Sequence, residues 1–569
     1  MKRYLFVLLA LCFCLSAIAQ NDIVHLKILQ TSDIHGAIFD YDFVNDRPTK
    51  TSLMNANTYI KAEREKFGDH LLLLDGGDNL QGQPAVYYYN FIDTTNTHLL
   101  ARVMNAMRYD AVVVGNHDIE TGHAVYDKIR AEYNFPLLAA NAVKKDGTPY
   151  FVPYKIFVCD GLKIAVLGMT NPHIPSWLPE VLWSGMTFHD IIISSEYWVK
   201  YITETEQPDV LIGLIHAGAG DGSNSEENPS LYLAKNVSGF DAIFIGHDHR
   251  RGMYKVANTK GDSVLIMDPA NTARYLSEVE IIVDKKTKTK TINGNLIDVS
   301  KYNVDTTLQN QFAQDFSAIK TFVSKPIGTF EKTITTRDAY FGSSAFVDLI
   351  HRIQLDIANA DISFVAPLSF DTEIKKGIVY VRDMFNLYRF ENMLYTMELS
   401  GSEIKGYLNY SYGIWLNQMQ SPDDNLLLFS NKKEGAKGGG NFVSPPYNFD
   451  SAAGIIYEVD VTKPTGSMVR IISMADGSEF SETKMYCVAI NSYRGNGGGG
   501  HLEEGAKISP TDFEKRMISS TEIDLRYYLM QWIEEQKVVN PQPLYQWKII
   551  PEAWTKPAAQ RDYEILFGK

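Results

Sequence analysis

The stretch VHLKILQTSDIH, residues 24–35, passes from an apolar run into an aspartate and a histidine set one residue apart, Asp33 and His35. Short, nearly continuous apolar runs read as strands covered on both faces, so these two side chains stand at the carboxyl end of a strand. Outward from this stretch the same pattern repeats four times. HLLLL (70–74) leads to Gly76-Gly77-Asp78, and AVVV (111–114) leads to Gly115-Asn116-His117-Asp118. VLIGLI (210–215) runs into His216, and AIFI (242–245) into Gly246-His247-Asp248-His249. Ligands of open α/β sheets gather at the carboxyl ends of their strands, so one crevice is expected to collect carboxylates, imidazoles and an amide. Such a set, free of sulfur, suits divalent ions. Two of them about 3.5–4 Å apart are the usual apparatus for displacement at phosphorus.

Within the motifs the residues divide by chemistry. Asp33, His35, Asp78, His216, His247 and His249 are metal-ligand types. Asn116 is a weaker donor that also suits a turn cap. His117, beside the cluster, suits proton donation to a departing alkoxide or stabilisation of charge on phosphoryl oxygens. Its orienting partner is either Asp118 or Glu120, and the spacing does not choose between them. Gly76 and Gly77 allow a sharp bend just before Asp78.

The chain has 569 residues, 45% hydrophobic and 21% charged. That length exceeds what one core usually organises. Lys2 and Arg3 precede an apolar run ending in Ala17-Ile18-Ala19, the pattern of a secretory leader cut after Ala19. Residues 1–19 are therefore expected to be removed, and the protein to be exported to the periplasm or the exterior. No later stretch is long enough to span a membrane. Cys159 and Cys487 then remain as unpaired thiols. The net charge of −14, more negative still without Lys2 and Arg3, disfavours nucleic-acid polymers as partners. Lys285, Lys286, Lys288 and Lys290 read as a solvated hairpin tip.

Residues 20–300 alternate strands with amphipathic segments and hold every metal motif. Leu308, Phe312, Phe316, Ile319 and Phe322 recur at helical spacing, so residues 301–325 read as a connecting helix that stops at Lys325-Pro326. Residues 326–555 read as a second, α+β domain. It has a helix over 344–359, a strand pair at 454–461 and 469–474, and glycine-rich loops at 435–441 and 495–500.

The order D-x-H, G-G-D, G-N-H-D, H, G-H-x-H resembles the calcineurin-like metallophosphoesterases, and the two-domain layout resembles their secreted nucleotidase branch. The resemblance implies a four-layer αββα domain followed by a nucleotide-recognition domain. It further implies two divalent ions (Zn, Mn, Mg, Co or Fe). Asp33, His35, Asp78 and His249 would hold one ion, and a shared Asp78 with Asn116, His216 and His247 the other. Activated water would attack phosphorus while His117 stabilises the transition state. The resemblance also implies that Phe449 and Tyr493 sandwich a nucleobase, with Asn491, Arg494 and Asn496 near base or ribose. DYDFVNDRPTKT, GDNLQGQP, NLYRFENMLYTMELSG, NFDSAAGIIYEVD and NSYRGNGGGG are similar to the 2′,3′-cyclic-nucleotide 2′-phosphodiesterase/3′-nucleotidase branch. By contrast, Asp371 stands where 5′-nucleotidases carry an arginine, and Gly499 where they carry an aspartate. The favoured expectation is an enzyme opening 2′,3′-cyclic nucleotides and releasing nucleoside and phosphate. A 5′-nucleotidase or UDP-sugar hydrolase is the alternative, and an exported nucleotide-binding protein without turnover a remote one. A monomer is expected.

Overall fold

The computed structural model describes residues 22–430 and 442–568. The leader at 1–19 and the glycine-rich stretch 435–441 lie outside the described residues. Two six-stranded sheets build the first domain. In one, Ile23–Thr31, Leu71–Asp75, Ala111–Val113 and Leu137–Leu138 run parallel, with Thr31 beside Asp75 and Asp75 beside Val112. The hairpin Tyr275–Asp284/Thr289–Asp298 extends it antiparallel, and the lysine-rich segment is its tip, as expected. In the other, Leu162–Met169, Val210–Ile215, Ala242–Ile245 and Ser263–Pro269 are parallel, with antiparallel strands at both edges.

The apolar runs form strands because both faces are covered. Leu26, Ile28, Leu72, Leu74 and Val113 meet Ile164, Val166, Ile212, Leu214 and Phe244 in a core between the sheets. Alternate residues of the first sheet, such as Leu29, Leu73 and Val112, pack outward on Met54, Ile60, Leu100 and Met104. Leu211, Ile243 and Ile266 do the same against Ile191, Val199 and Leu233. Each such side chain, fully buried, stabilises by roughly 1.5–3 kcal/mol. The layers are helix, sheet, sheet, helix. Helix Leu53–Phe67 starts where the Ser52 hydroxyl accepts from Asn55 N.

The expected single connecting helix is two, Thr306–Gln311 and Ala313–Val323, broken at Phe312, whose φ of −112° and ψ of 20° leave the helical range. Phe312 is buried in the first domain's outer core, so packing there outweighs helical continuity. The second domain centres on a five-stranded sheet ordered Ser451–Ala453, Ile362–Val365, Met485–Asn491, Leu394–Ser400, Met517–Ser520. Helix Ala345–Ala358 lies between Ser344 and Asn359 caps, and strands Ile455–Asp460 and Val469–Met474 pair antiparallel, as read from sequence. Its end at 555 needs correction. Helix Glu552–Phe567 continues past that point and buries Ala558 and Leu566 in the second core.

The domains interlock through Tyr87. Carried by the first domain, it is fully buried in the second domain's core, stacks on Arg526 at 4.9 Å and donates to Asp524 Oδ2 at 3.0 Å. Among the described residues no helix is long and apolar enough to cross a membrane. Cys159 and Cys487 are both free, the first buried and the second half-buried.

Candidate metal centre and interdomain cleft

Both sheets end at one edge, and the five motifs meet there. Gln30 Nε2 donates to Ile245 O across the sheets at 2.9 Å, and the motif loops hold one another by backbone bonds, Asp33 N to Gly77 O at 2.8 Å and His35 N to Asp78 O at 3.0 Å. Asp33, His35, Asp78, His247 and His249 all adopt φ between 48° and 81°, a region that L residues seldom occupy and that clusters at functional sites. Glycine is required nearby for closeness. A Cβ on Gly115 would strike the Asp78 carboxylate, and one on Gly246 would strike Ser32 and Asp33.

Two groups of ligand atoms result, each drawn from both sheets. Asp33 and His35 of the first sheet meet His249 of the second, and Asp78 meets His216 and His247, with the atoms of each group within 4.8 Å of one another. In the first, His35 Nε2 lies 2.9 Å from His249 Nε2, while His35 Nδ1 faces Gln81 O at 3.0 Å. In the second, His216 Nε2 lies 3.2 Å from Asp78 Oδ2. The Asn116 Oδ1 atom sits 3.1 Å from His216 Nε2 and 3.0 Å from His247 Nδ1, which brings Asn116 into this group. All seven sequence-predicted ligands therefore converge.

Burial pushes the Asp33 carboxyl up to about 8. Burial also opposes charge on Asp78, but His216 and His117 beside it hold its carboxyl well below the usual range. Against the same burial, Asp78 raises His216 to about 10. Burial, aided by neighbouring imidazoles, keeps His35 and His249 low, the latter at about 4. Two neutral imidazoles facing one another beside a carboxylate are a donor set that a divalent cation satisfies. The residues present thus fit divalent metals. Outer partners hold the ligands as metal sites require: His216 Nδ1 faces Gly76 O at 2.6 Å, and His247 Nε2 faces Glu227 at 3.1 Å. Trp177 stacks on His247 at 5.5 Å. Glu227 and Trp177 escaped sequence reading because no motif marks them.

Glu120 pairs with His117, its Oε2 lying 2.5 Å from Nδ1, so the Nε2 edge is left for the cleft. With burial opposing, Asp78 and Glu120 lift the His117 pKa to about 9. Asp118 does otherwise. Its carboxylate accepts the backbone N–H groups of Asp78, Asn79, Leu80 and Gly115 at 2.8–3.1 Å, so it shapes the loops and does not touch the His117 ring.

The second domain presents several loops at one end of its central sheet. Val365 pairs with Ser451, Ile362–Val365 runs parallel to Met485–Asn491, and Leu394 pairs with Asn491. The segments around 369–372, 388–392, 447–450 and 492–496 therefore share that end, which faces the first domain. Tyr493 is half-buried there, and its helix Ser492–Gly495 packs on Ile174–Trp177. Phe449, expected beside it as a stacking ring, is corrected: it is 0% exposed and lies in the core, parallel to Trp415 at 5.3 Å. The accessible ring is Tyr447, two residues earlier and 38% exposed, edge-on to Phe390 at 6.0 Å. Arg494 is also corrected. It is buried, ion-paired to Asp450 at 2.7 Å and donates to Gly498 O and Tyr447 O, so it builds the loop. Asn491 caps the same turn by accepting from Arg494 N at 2.9 Å. Asn496 is half-buried, with its amide 3.4 Å from the Tyr395 hydroxyl.

Between the domains runs a cleft of about 370 Å³ bordered by His35, His117 and His249 on one side and by Asp371, Arg389 and Phe390 on the other.

Residues 26–251 match the calcineurin-like phosphoesterase family, and residues 326–504 the 5′-nucleotidase C-terminal domain. The trifunctional nucleotide phosphoesterase protein YfkN of Bacillus subtilis is 28% identical over 603 residues, covering 94% of this chain but only 39% of that protein. A 2′,3′-cyclic-nucleotide 2′-phosphodiesterase/3′-nucleotidase of Yersinia enterocolitica is 25% identical over 546 residues, covering 84% of this chain and 82% of that one. The fold is shared with a 5′-nucleotidase precursor from Thermus thermophilus, with a TM-score of 0.63, 19% identity and coverage of 93% and 100% of the two chains. The chain thus belongs to the calcineurin-like phosphoesterases that carry a 5′-nucleotidase C-terminal domain, a family of nucleotide phosphoesterases, and is a phosphoric ester hydrolase.

Proposed function

We propose that this protein is an exported, monomeric hydrolase that opens 2′,3′-cyclic nucleotides to 3′-nucleotides and then releases phosphate and nucleoside. The reading is carried by one juxtaposition: His35 and His249 of one ligand group, together with His117, border a cleft whose far side belongs to a nucleotidase-type domain, and the second ligand group and Glu120 lie directly behind them. Asp33, His35 and His249 would hold one divalent ion, and Asp78, Asn116, His216 and His247 a second, with Asp78 between them. Bound there, the ions would supply Lewis acidity toward phosphoryl oxygens and a nucleophilic water at neutral pH.

The chain's own residues do the rest. Glu120 holds the His117 Nδ1 proton, so Nε2 faces the reacting group. Protonated His117 gives its Nε2 proton to the departing 2′ oxygen as water takes that oxygen's place on phosphorus, regains a proton released by the water, and gives it to the 3′ oxygen in the second step. Tyr447 and Tyr493 would hold the base by stacking, worth roughly 1–3 kcal/mol per ring by removal. The segments similar to the cyclic-nucleotide branch favour this substrate over 5′-nucleotides. A panel of 2′,3′-cAMP, 3′-AMP, 5′-AMP and UDP-glucose, tested on metal-loaded protein with and without chelator, decides the matter. Fastest release from the first two is expected. Preference for 5′-AMP or UDP-glucose would move the assignment to the alternative branch, and folded, metal-loaded protein inert on all four would reject it.

A further inference from the structure

The cleft must accept an anion, yet the chain is acidic and the carboxylates bordering the cleft are already occupied. Asp371 is held by Arg337 at 2.6 and 2.9 Å. Asp42 accepts from the backbone N–H groups of Val44 and Asn45 at 3.1 and 3.0 Å. Among the described residues lining the cleft, Arg389 is the one lysine or arginine. Its guanidinium has no hydrogen-bond or ion-pair partner there, although it is exposed to the cleft. The two domains enclose it enough that desolvation lowers its pKa. A cation held partly out of water without a counter-charge is costly, and a ligand anion removes that cost.

The residue is also held in place. Arg526, 0% exposed, donates to Tyr388 O at 3.0 Å and to Arg389 O at 2.7 Å, so two successive carbonyls of the loop are fixed. Arg526 itself lies between Phe385 at 4.2 Å and the first domain's Tyr87 at 4.9 Å. The loop carrying Arg389 is therefore anchored by the same contact that joins the domains. Phe390, the next residue, borders the same cleft as Arg389 and His117 and lies edge-on to Tyr447 at 6.0 Å.

Resting on the nucleotide reading above, we infer that Arg389 is a specificity-determining residue that binds the phosphate ester of the substrate in the interdomain cleft. A planar, always charged fork suits a phosphate by bidentate hydrogen bonding, and lysine substitutes for it only in part.

The test uses full-length, metal-loaded protein with Arg389→Ala and Arg389→Lys. Calorimetric affinities for inorganic phosphate and for adenosine are measured, together with kcat and KM on 3′-AMP and 4-nitrophenyl phosphate. Arg389→Ala should weaken phosphate binding and raise KM for 3′-AMP on the order of 10- to 100-fold. Adenosine affinity, metal content and melting temperature should stay unchanged, and lysine should recover part of the loss. The KM of the parent protein should rise with salt more steeply than that of the alanine variant, which keeps only the attraction of the metal centre. Unchanged phosphate affinity and KM would overturn the inference, as would an equal loss of adenosine and phosphate binding. Failure of the nucleotide reading is separable: the parent would then bind phosphate through Arg389 and cleave 4-nitrophenyl phosphate while ignoring nucleotides.

Discussion

The two walls of the cleft were built by different rules. On the first-domain wall, every metal-ligand residue sits within a few positions of a strand end, and the strand ends meet because the parallel strands of the two packed sheets finish at one edge. On the second-domain wall, the rings and charges near the ligand path come from loops whose inward and outward members alternate without a motif. Asp33, Asp78, His216 and His247 therefore converge as read, whereas Phe449 and Arg494 turn out to be interior residues. Short-range pattern suffices where the backbone is regular, and fails where a single turn decides whether a ring faces solvent or core.

That contrast predicts a graded set of outcomes. The largest effect belongs to the first wall. Asp78→Ala should bring phosphate release to background and lower the bound-metal stoichiometry, because His216 loses the anion beside it at 3.2 Å. Full metal content and activity in this variant would break the picture of a converged centre. His117→Ala should retain its metals and lose ~10²–10⁴-fold in kcat, with Glu120→Gln losing less and Asp118→Asn acting through stability of the 78–80 loop. Equal metal loss in His117→Ala would move that residue among the ligands.

On the second wall, Phe449→Ala and Tyr447→Ala should separate cleanly. The first removes a buried ring stacked on Trp415 and should cost roughly 3–5 kcal/mol in urea unfolding. The second should leave unfolding unchanged while weakening nucleotide binding by roughly 1–3 kcal/mol and sparing 4-nitrophenyl phosphate. A reversal of the two phenotypes would restore Phe449 to the site.

The smallest effect concerns pH. His351 is 0% exposed between Ser363 and Ser451, and burial lowers its pKa from 6.5 to about 3. The unfolded chain then binds a proton that the folded chain refuses, so this contribution is complete above 6.5 and is lost as pH falls toward 3. Urea midpoints measured from about pH 7 to about pH 4 should fall, and His351→Gln should flatten that slope. An unaltered slope would assign the acid sensitivity to other groups.

Much of this was legible in the chain and some was not, for identifiable reasons. Glu120 and Asp118 are two residues apart, and either could have faced His117. The single turn Asn116–Ile119 aims Asp118 back at four backbone N–H groups and brings Glu120 over the ring. Tyr447 lies in a 3₁₀ turn, Pro446–Asn448, that ends at Phe449. Which ring is buried depends on Trp415 and Phe442, neither adjacent in sequence. Arg494 is claimed by Asp450, 44 residues away. The helix break at Phe312 likewise follows from a distant core and not from local propensity.

By itself, then, the amino-acid order determined the strands, the ligand-bearing turns after them and the chemistry those turns hold, since burial periodicity and side-chain type are local properties. Which carboxylate orients His117, which ring stays accessible and which arginine is free to meet an anion were decided only by tertiary structure. Those outcomes depend on competition among partners far apart in the chain, and the folded packing alone selects the winner.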